Sequence, residues 1–127
     1  MLKNDATILI IDDSKVARMM LKKILNDLGY DNIAEAVDGP DGIACYAEKE
    51  PNLIFLDIVM PGMTGDEVLA NIRALDEKTP VIILSSASSE IQVDICRQVG
   101  ISDFIKKPLT MEAGPDTIKA ALEKLNA

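Results

Sequence analysis

Histidine is absent from the 127 residues. That single lack excludes histidine-ligated metal sites, Ser-His and Cys-His nucleophilic catalysis, and any role as a histidine phosphodonor. Tryptophan is also missing, and two Phe and two Tyr are the whole aromatic complement, so the core must be built from aliphatic side chains. The two cysteines, Cys45 and Cys96, are far apart in the chain and lie among apolar residues, where a free thiol behaves as a small core group. That reading carries a reducing cytoplasm as its corollary.

Long apolar runs are lacking as well. The N-terminal MLKNDATILIIDDS has an apolar run of four residues closed by two aspartates, too short for a signal peptide or a membrane span. The chain is therefore expected to stay in the cytosol, away from membranes. Basic residues are in deficit: 13 against 21 acidic, a net charge of −8. A surface of that sign repels a nucleic-acid backbone, so direct DNA binding is not expected.

What is present is a globular composition, 48% hydrophobic and 27% charged, without repeats or a linker to suggest a second domain. Residues 1–127 read as one domain with no effector domain attached. A chain of this size buries roughly two-thirds of its unfolded surface and needs no disulfide or metal to fold.

Short apolar runs alternate with helical patterns along the whole length. Ile8 to Ile11 is continuously apolar, as in a parallel strand covered on both faces. Ala17, Met20, Leu21, Ile24 and Leu28 then recur at helical spacing, with Gly29 as a stop. Asn32 to Ala36 predicts a second strand, and a helix from about Gly39-Pro40 to Glu50 follows. Leu53 to Leu56 predicts the third strand, then a Pro61-Gly62 loop and a helix with capping-box spacing at Thr64 and Glu67 and a buried face of Val68, Leu69, Ile72 and Leu75. Val81 to Leu84, a helix marked by Ile91, Ile95 and Val99 and closed by Gly100, a short strand at Asp103 to Ile105, and a last helix from about Pro115 complete the pattern. Strand-helix alternation with right-handed crossovers implies a doubly wound parallel α/β sheet.

Ligands bind such sheets beyond the carboxyl ends of the strands. There the chain places Asp12 and Asp13 after the first strand, Asp57 after the third, Ser85 and Ser86 after the fourth, and Lys106 and Lys107 after the fifth. Each alone has a plain explanation: aspartates start helices, hydroxyls cap turns, and lysines solvate surfaces. Together they make a site. If the first and third strands are neighbours, three carboxylates meet and disfavour joint ionisation, which calls for a cation. Hard oxygen donors with room for water and phosphate oxygens suit Mg²⁺. A carboxylate nucleophile, the metal and a lysine are also the parts that phosphoryl transfer needs, and Asp57 and Lys107 fit those roles.

In ILIIDDS, LIFLDIVMPGMTG, PVIILSS and DFIKKP the chain resembles the receiver domain of two-component response regulators, over essentially its whole length. The resemblance implies a CheY-like, flavodoxin-like fold with five strands in the order 2-1-3-4-5 and five helices. It implies that Asp12, Asp13, Asp57 and the backbone carbonyl of Val59 hold Mg²⁺, and that Asp57 accepts a phosphoryl group from a histidine kinase or phosphotransfer protein. It implies that Lys107 binds the phosphoryl oxygens, that Ser85 is the switch hydroxyl, and that Phe104 is the switch aromatic. Phe104 reads equally well as a core residue of a short strand. Val59 and Ala87 are small or apolar where relatives often carry polar side chains, which implies an altered phosphate lifetime. The stretch Thr110 to Pro115 departs from a regular start of the last helix, and leaves the output partner open.

Three alternatives use similar parts. A receiver-like binding module that is never phosphorylated would keep the fold without the chemistry. A Mg²⁺-dependent phosphohydrolase with an Asp nucleophile wants Asp-x-Asp, whereas the chain has Asp12-Asp13; a flavin carrier would want a Ser/Thr-rich phosphate loop that is missing.

Overall fold

The computed structural model describes residues 2–86 and 90–125. Ala87, singled out above for phosphate lifetime, lies outside the described residues. The elements run β1 (Ile8–Ile11), α1 (Lys15–Asp27), β2 (Ile33–Ala36), α2 (Gly39–Lys49), β3 (Leu53–Asp57), α3 (Gly65–Leu75), β4 (Val81–Ser85), α4 (Glu90–Val99), β5 (Asp103–Lys106) and α5 (Gly114–Lys124). All strands pair in parallel in the order β2-β1-β3-β4-β5, as the resemblance implies.

The continuous apolar strands are explained by two separate cores. Ile8, Ile10, Leu53, Phe55, Ile82 and Leu84 point to one face, where Leu21, Ile24 and Leu25 of α1 and Ile118 and Leu122 of α5 cover them. Leu9, Ile11, Ile54, Leu56, Val81 and Ile83 point to the other, beneath Val68, Leu69 and Ile72 of α3 and Val93 and Cys96 of α4. Because successive strand residues alternate faces, a strand buried on both sides shows no polar alternation.

Helix starts follow local chemistry. The Ser14 hydroxyl accepts the Ala17 amide at 3.2 Å, and Asp38 accepts the Asp41 amide at 2.8 Å, each relieving a donor that the first helical turn leaves unpaired. At α3, Glu67 accepts from both the Thr64 amide (3.2 Å) and the Thr64 hydroxyl (2.9 Å). α2 ends at Glu50, whose φ of 46° is left-handed, and Pro51 prevents continuation.

One helix face differs from expectation, and another is decided only by the structure. Leu75 is 72% exposed, because it ends α3 beyond the turn that packs on the sheet. In α4 the buried residues are Val93 and Cys96, while Ile91, Ile95 and Val99 form an outward stripe, 75%, 43% and 38% exposed. Both sets have helical spacing, and it is Val93 and Cys96 that face the core. Of the cysteines, Cys96 is fully buried and Cys45 only half-buried. Gly114 starts α5 against α1: a Cβ there would stand 2.7 Å from Ile24 Cδ1, so Gly114 permits a close helix approach.

Candidate functional site

Register brings the strand-end residues together. β1 and β3 pair with Ile11 opposite Leu56, so Asp12 and Asp57 follow side by side at the sheet's carboxyl edge. Asp12 and Asp57 are buried and Asp13 is exposed, yet one oxygen from each carboxylate lies within 4.8 Å of the others. The convergence of carboxylates anticipated from the sequence is present.

Asp12 is held on every side. Its amide donates to Ala36 O at 3.1 Å, its Oδ1 accepts the Ser14 amide at 2.9 Å, and its Oδ2 accepts Lys107 Nζ at 2.7 Å. Asp57 is held loosely: Oδ1 accepts the Val59 amide at 3.4 Å, and Oδ2 lies 3.4 Å from Lys107 Nζ. Burial, followed by the charge of Asp12, pushes the Asp57 carboxyl up to about 7, against the opposing pull of Lys107. For Lys107, burial works against the ammonium, but its hydrogen bond to Asp12 and the charges of Asp12 and Asp57 outweigh it and raise its pKa.

One ammonium thus serves two buried carboxylates, with a third beside them. Two close carboxylates and one half-buried lysine form an arrangement in which a second cation lowers the energy. Among the described residues the candidate ligands are three carboxylates, two buried and one exposed, a hard-oxygen set that suits Mg²⁺ with part of its hydration shell retained. The residues present fit that ion.

The other strand ends frame this pocket. Ser85 is buried at the end of β4, and its carbonyl accepts the Lys107 amide at 2.6 Å, so the two are joined through backbone. Phe104 on β5 pairs opposite Ile83 and is half-buried, with the Arg97 guanidinium 4.5 Å above its ring centre. Ser85, Phe104, Arg97 and Lys106 line a cavity of about 310 Å³ between α4 and β5. Val59 is 56% exposed on the loop after β3.

Two residues were not legible as site residues in the sequence. Arg18 reads as one of several basic residues on the outer face of α1, but its Nη1 donates to Asp12 O at 2.7 Å. Gly65 reads only as the first residue of the helix after Thr64, but its amide donates to Ile58 O at 2.9 Å, and a Cβ there would stand 2.5 Å from Asp57 O. Glycine one residue after a capping Thr is the available signal for the second; nothing in residue type signals a side-chain bond to a backbone carbonyl.

Residues 8–119 match the response regulator receiver domain. The chain belongs to that family. Receiver domains are phosphoacceptor signalling modules of two-component systems rather than enzymes, and they partner with histidine kinases. The chemotaxis protein CheY of Thermotoga maritima is 33% identical over 94% of this chain and 96% of its own length. CheY of Bacillus subtilis is 36% identical over 91% and 96%. Among solved structures, a CheX-CheY-BeF₃-Mg²⁺ complex from Borrelia burgdorferi contains a chain that superposes with a TM-score of 0.86 at 29% identity, covering 96% of this receiver and 90% of that chain. Among the described residues of this receiver, no helix is long and apolar enough to cross a membrane.

Proposed function

We propose that this receiver is a cytoplasmic response-regulator domain that accepts a phosphoryl group on Asp57 from a sensor histidine kinase or a histidine phosphotransfer protein, in a Mg²⁺-dependent reaction. The observation that carries the reading is the convergence of Asp12, Asp13, Asp57 and Lys107 at one edge of the sheet.

Asp12, Asp13 and Asp57 would hold the ion, with the Val59 backbone carbonyl completing the protein ligands. When bound, Mg²⁺ supplies positive charge to the three carboxylates and to the equatorial oxygens of the incoming group. An Asp57 carboxylate oxygen attacks phosphorus in line; the new P–O bond forms as the donor's P–N bond breaks, and the electron pair leaves with the imidazole. Lys107 Nζ, 3.4 Å from Asp57, lies close enough to engage a phosphoryl oxygen there. The match to a CheY crystallised with Mg²⁺ and BeF₃ supports this assignment.

The phosphoryl group carries roughly one and a half to two negative charges at pH 7, in place of the Asp57 carboxylate charge, and offers three acceptor oxygens. Ser85, buried at the neighbouring strand end, is the hydroxyl that would turn toward it, and Phe104 is the ring that would follow into the adjoining cavity. Val59, whose side chain has no polar group to offer attacking water, would alter the lifetime of the phosphorylated state. The output is protein-protein contact.

Incubation with acetyl phosphate with and without Mg²⁺, followed by intact mass, tests the proposal. One added phosphoryl group is expected only with Mg²⁺, and none in Asp57→Ala. A wild-type chain that gains no mass is a binding module instead.

A further inference from the structure

Arg18 occupies a position in this site that its place on α1 does not require. Its side chain is 11% exposed. Nη1 donates to the Asp12 carbonyl at 2.7 Å, and Nε donates to Glu35 Oε1 on β2 at 3.2 Å. Lys22, one helical turn further along α1, approaches the other oxygen of Glu35 at 3.6 Å. The guanidinium is thereby fixed at both ends, and its planar fork suits two acceptors in different directions.

The carbonyl it holds belongs to the peptide that joins Asp12 to Asp13. Asp12 is already restrained at its amide and at both carboxylate oxygens. Asp13 is exposed, and among the described residues no hydrogen bond or ion pair fixes its carboxylate. The direction in which Asp13 projects is therefore inherited from that peptide plane, and the plane is set by the Arg18 bond. A charge-assisted bond of this length restrains a carbonyl more firmly than a neutral donor or water.

We propose that Arg18, anchored on Glu35, is a positioning residue that aims the Asp13 carboxylate at the cation. The inference rests on the metal-dependent reading above and extends it to a residue that touches neither the ion nor the phosphoryl group. Glu35 also offsets the guanidinium charge, so the clamp does not repel the cation it serves.

This assignment and a pure charge effect predict opposite signs. Removing a positive charge near three carboxylates strengthens cation binding if charge is all that Arg18 contributes. Removing a positioning bond weakens it, and partners behind metal ligands commonly change affinity by about tenfold or more. Mg²⁺ alone, titrated by calorimetry into the full chain, distinguishes them. Arg18→Met keeps the apolar stem and is expected to bind Mg²⁺ about tenfold more weakly. Lys22→Ala removes a neighbouring charge but not the clamp, and is expected to bind as wild type or slightly tighter.

Acetyl phosphate labelling separates affinity from chemistry. The Arg18→Met rate should fall at low Mg²⁺ and return close to wild type at saturation. Urea unfolding of each variant confirms that the fold is kept. Should Arg18→Met not fold, Arg18→Lys, which keeps the charge but loses the fork, must still weaken Mg²⁺ binding about twofold or more. Wild-type or tighter binding in the folded Arg18 variant overturns the inference while leaving phosphorylation of Asp57 intact. Failure of the wild-type chain to bind Mg²⁺ or to gain a phosphoryl group overturns the parent reading instead.

Discussion

Lys107 Nζ stands 2.7 Å from Asp12 and 3.4 Å from Asp57. The lysine therefore serves chiefly as the counter-ion of Asp12, a proposed metal ligand, and only secondarily as a partner of Asp57, the proposed acceptor. On the proposed reading, a cation held by the carboxylates would supply the positive charge that Asp12 now draws from Lys107, and the ammonium would be available to a phosphoryl oxygen. The same cationic role passes from one group to another.

Lys107→Ala should accordingly destabilise the metal-free protein far more than the loaded one. A hydrogen-bonded charge pair of this kind is worth about 2 kcal/mol, with the loss concentrated where no other cation is available. Urea unfolding in EDTA and in excess Mg²⁺ reads the difference. Equal losses in both conditions would show that Lys107 is not exchanging with the ion.

Asp57 gives the metal-free fold a distinctive pH profile. Its folded pKa is raised from 3.8 to about 7, so its favourable contribution is fully present below 3.8 and is lost as pH rises through about 7. Stability in EDTA should fall across that window. Asp57→Asn, which cannot ionise, should flatten the fall and exceed wild type in stability at pH 8. Urea midpoints from pH 4 to 8 test this, and a wild-type slope unchanged by Asp57→Asn refutes it.

Asp76 provides the opposite sign, away from the site. Its carboxylate accepts the Lys78 amide at 2.8 Å, the Thr79 amide at 3.1 Å, the Thr79 hydroxyl and the Tyr46 hydroxyl at 3.0 Å, which ties α2 to the end of α3. These bonds, led by the Thr79 hydroxyl, hold the group well below the ordinary carboxylate range. Its contribution is present above the ordinary value of 3.8 and disappears as pH falls through the lower folded value. Asp76→Asn should cost about 1 to 2 kcal/mol at pH 7 and much less at pH 2, by urea or thermal unfolding. A pH-independent loss contradicts the assignment.

Gly65 and Gly62 should separate site geometry from backbone strain. A Cβ at Gly65 would lie 2.5 Å from Asp57 O and 2.6 Å from Ile58 Cα, so Gly65→Ala must push α3 off the acceptor strand. At Gly62, φ is +78° and no atom lies within 4 Å of the added carbon. Gly62→Ala should therefore cost about 1 kcal/mol through backbone conformation alone and leave phosphorylation unchanged. Gly65→Ala should cost about 2 to 3 kcal/mol and slow acetyl phosphate labelling. Equal labelling rates in the two variants would count against the contact.

The strands were readable in the sequence because both faces are covered, which leaves Ile8 to Ile11 and Leu53 to Leu56 without a polar residue. The carboxylate cluster was readable because parallel register places strand-end residues alongside one another. α4 was not: it carries two apolar stripes of helical spacing, and periodicity alone does not say that Val93 and Cys96, rather than Ile91, Ile95 and Val99, meet the sheet. Arg18 was unreadable for another reason. Its acceptor is a peptide carbonyl, which every residue possesses, so no pairing of side-chain types announces the bond.

The sheet that separates the two cores makes this domain close to two proteins sharing a backbone. Ile24 and Ile72 are both fully buried, yet each packs in a different core with strand residues of opposite direction between them. Truncating both should cost the sum of the single losses within about 0.5 kcal/mol. The α1/α5 layer can therefore be repacked without disturbing the α3/α4 layer, and surfaces on opposite sides of one acceptor strand are free to diversify independently.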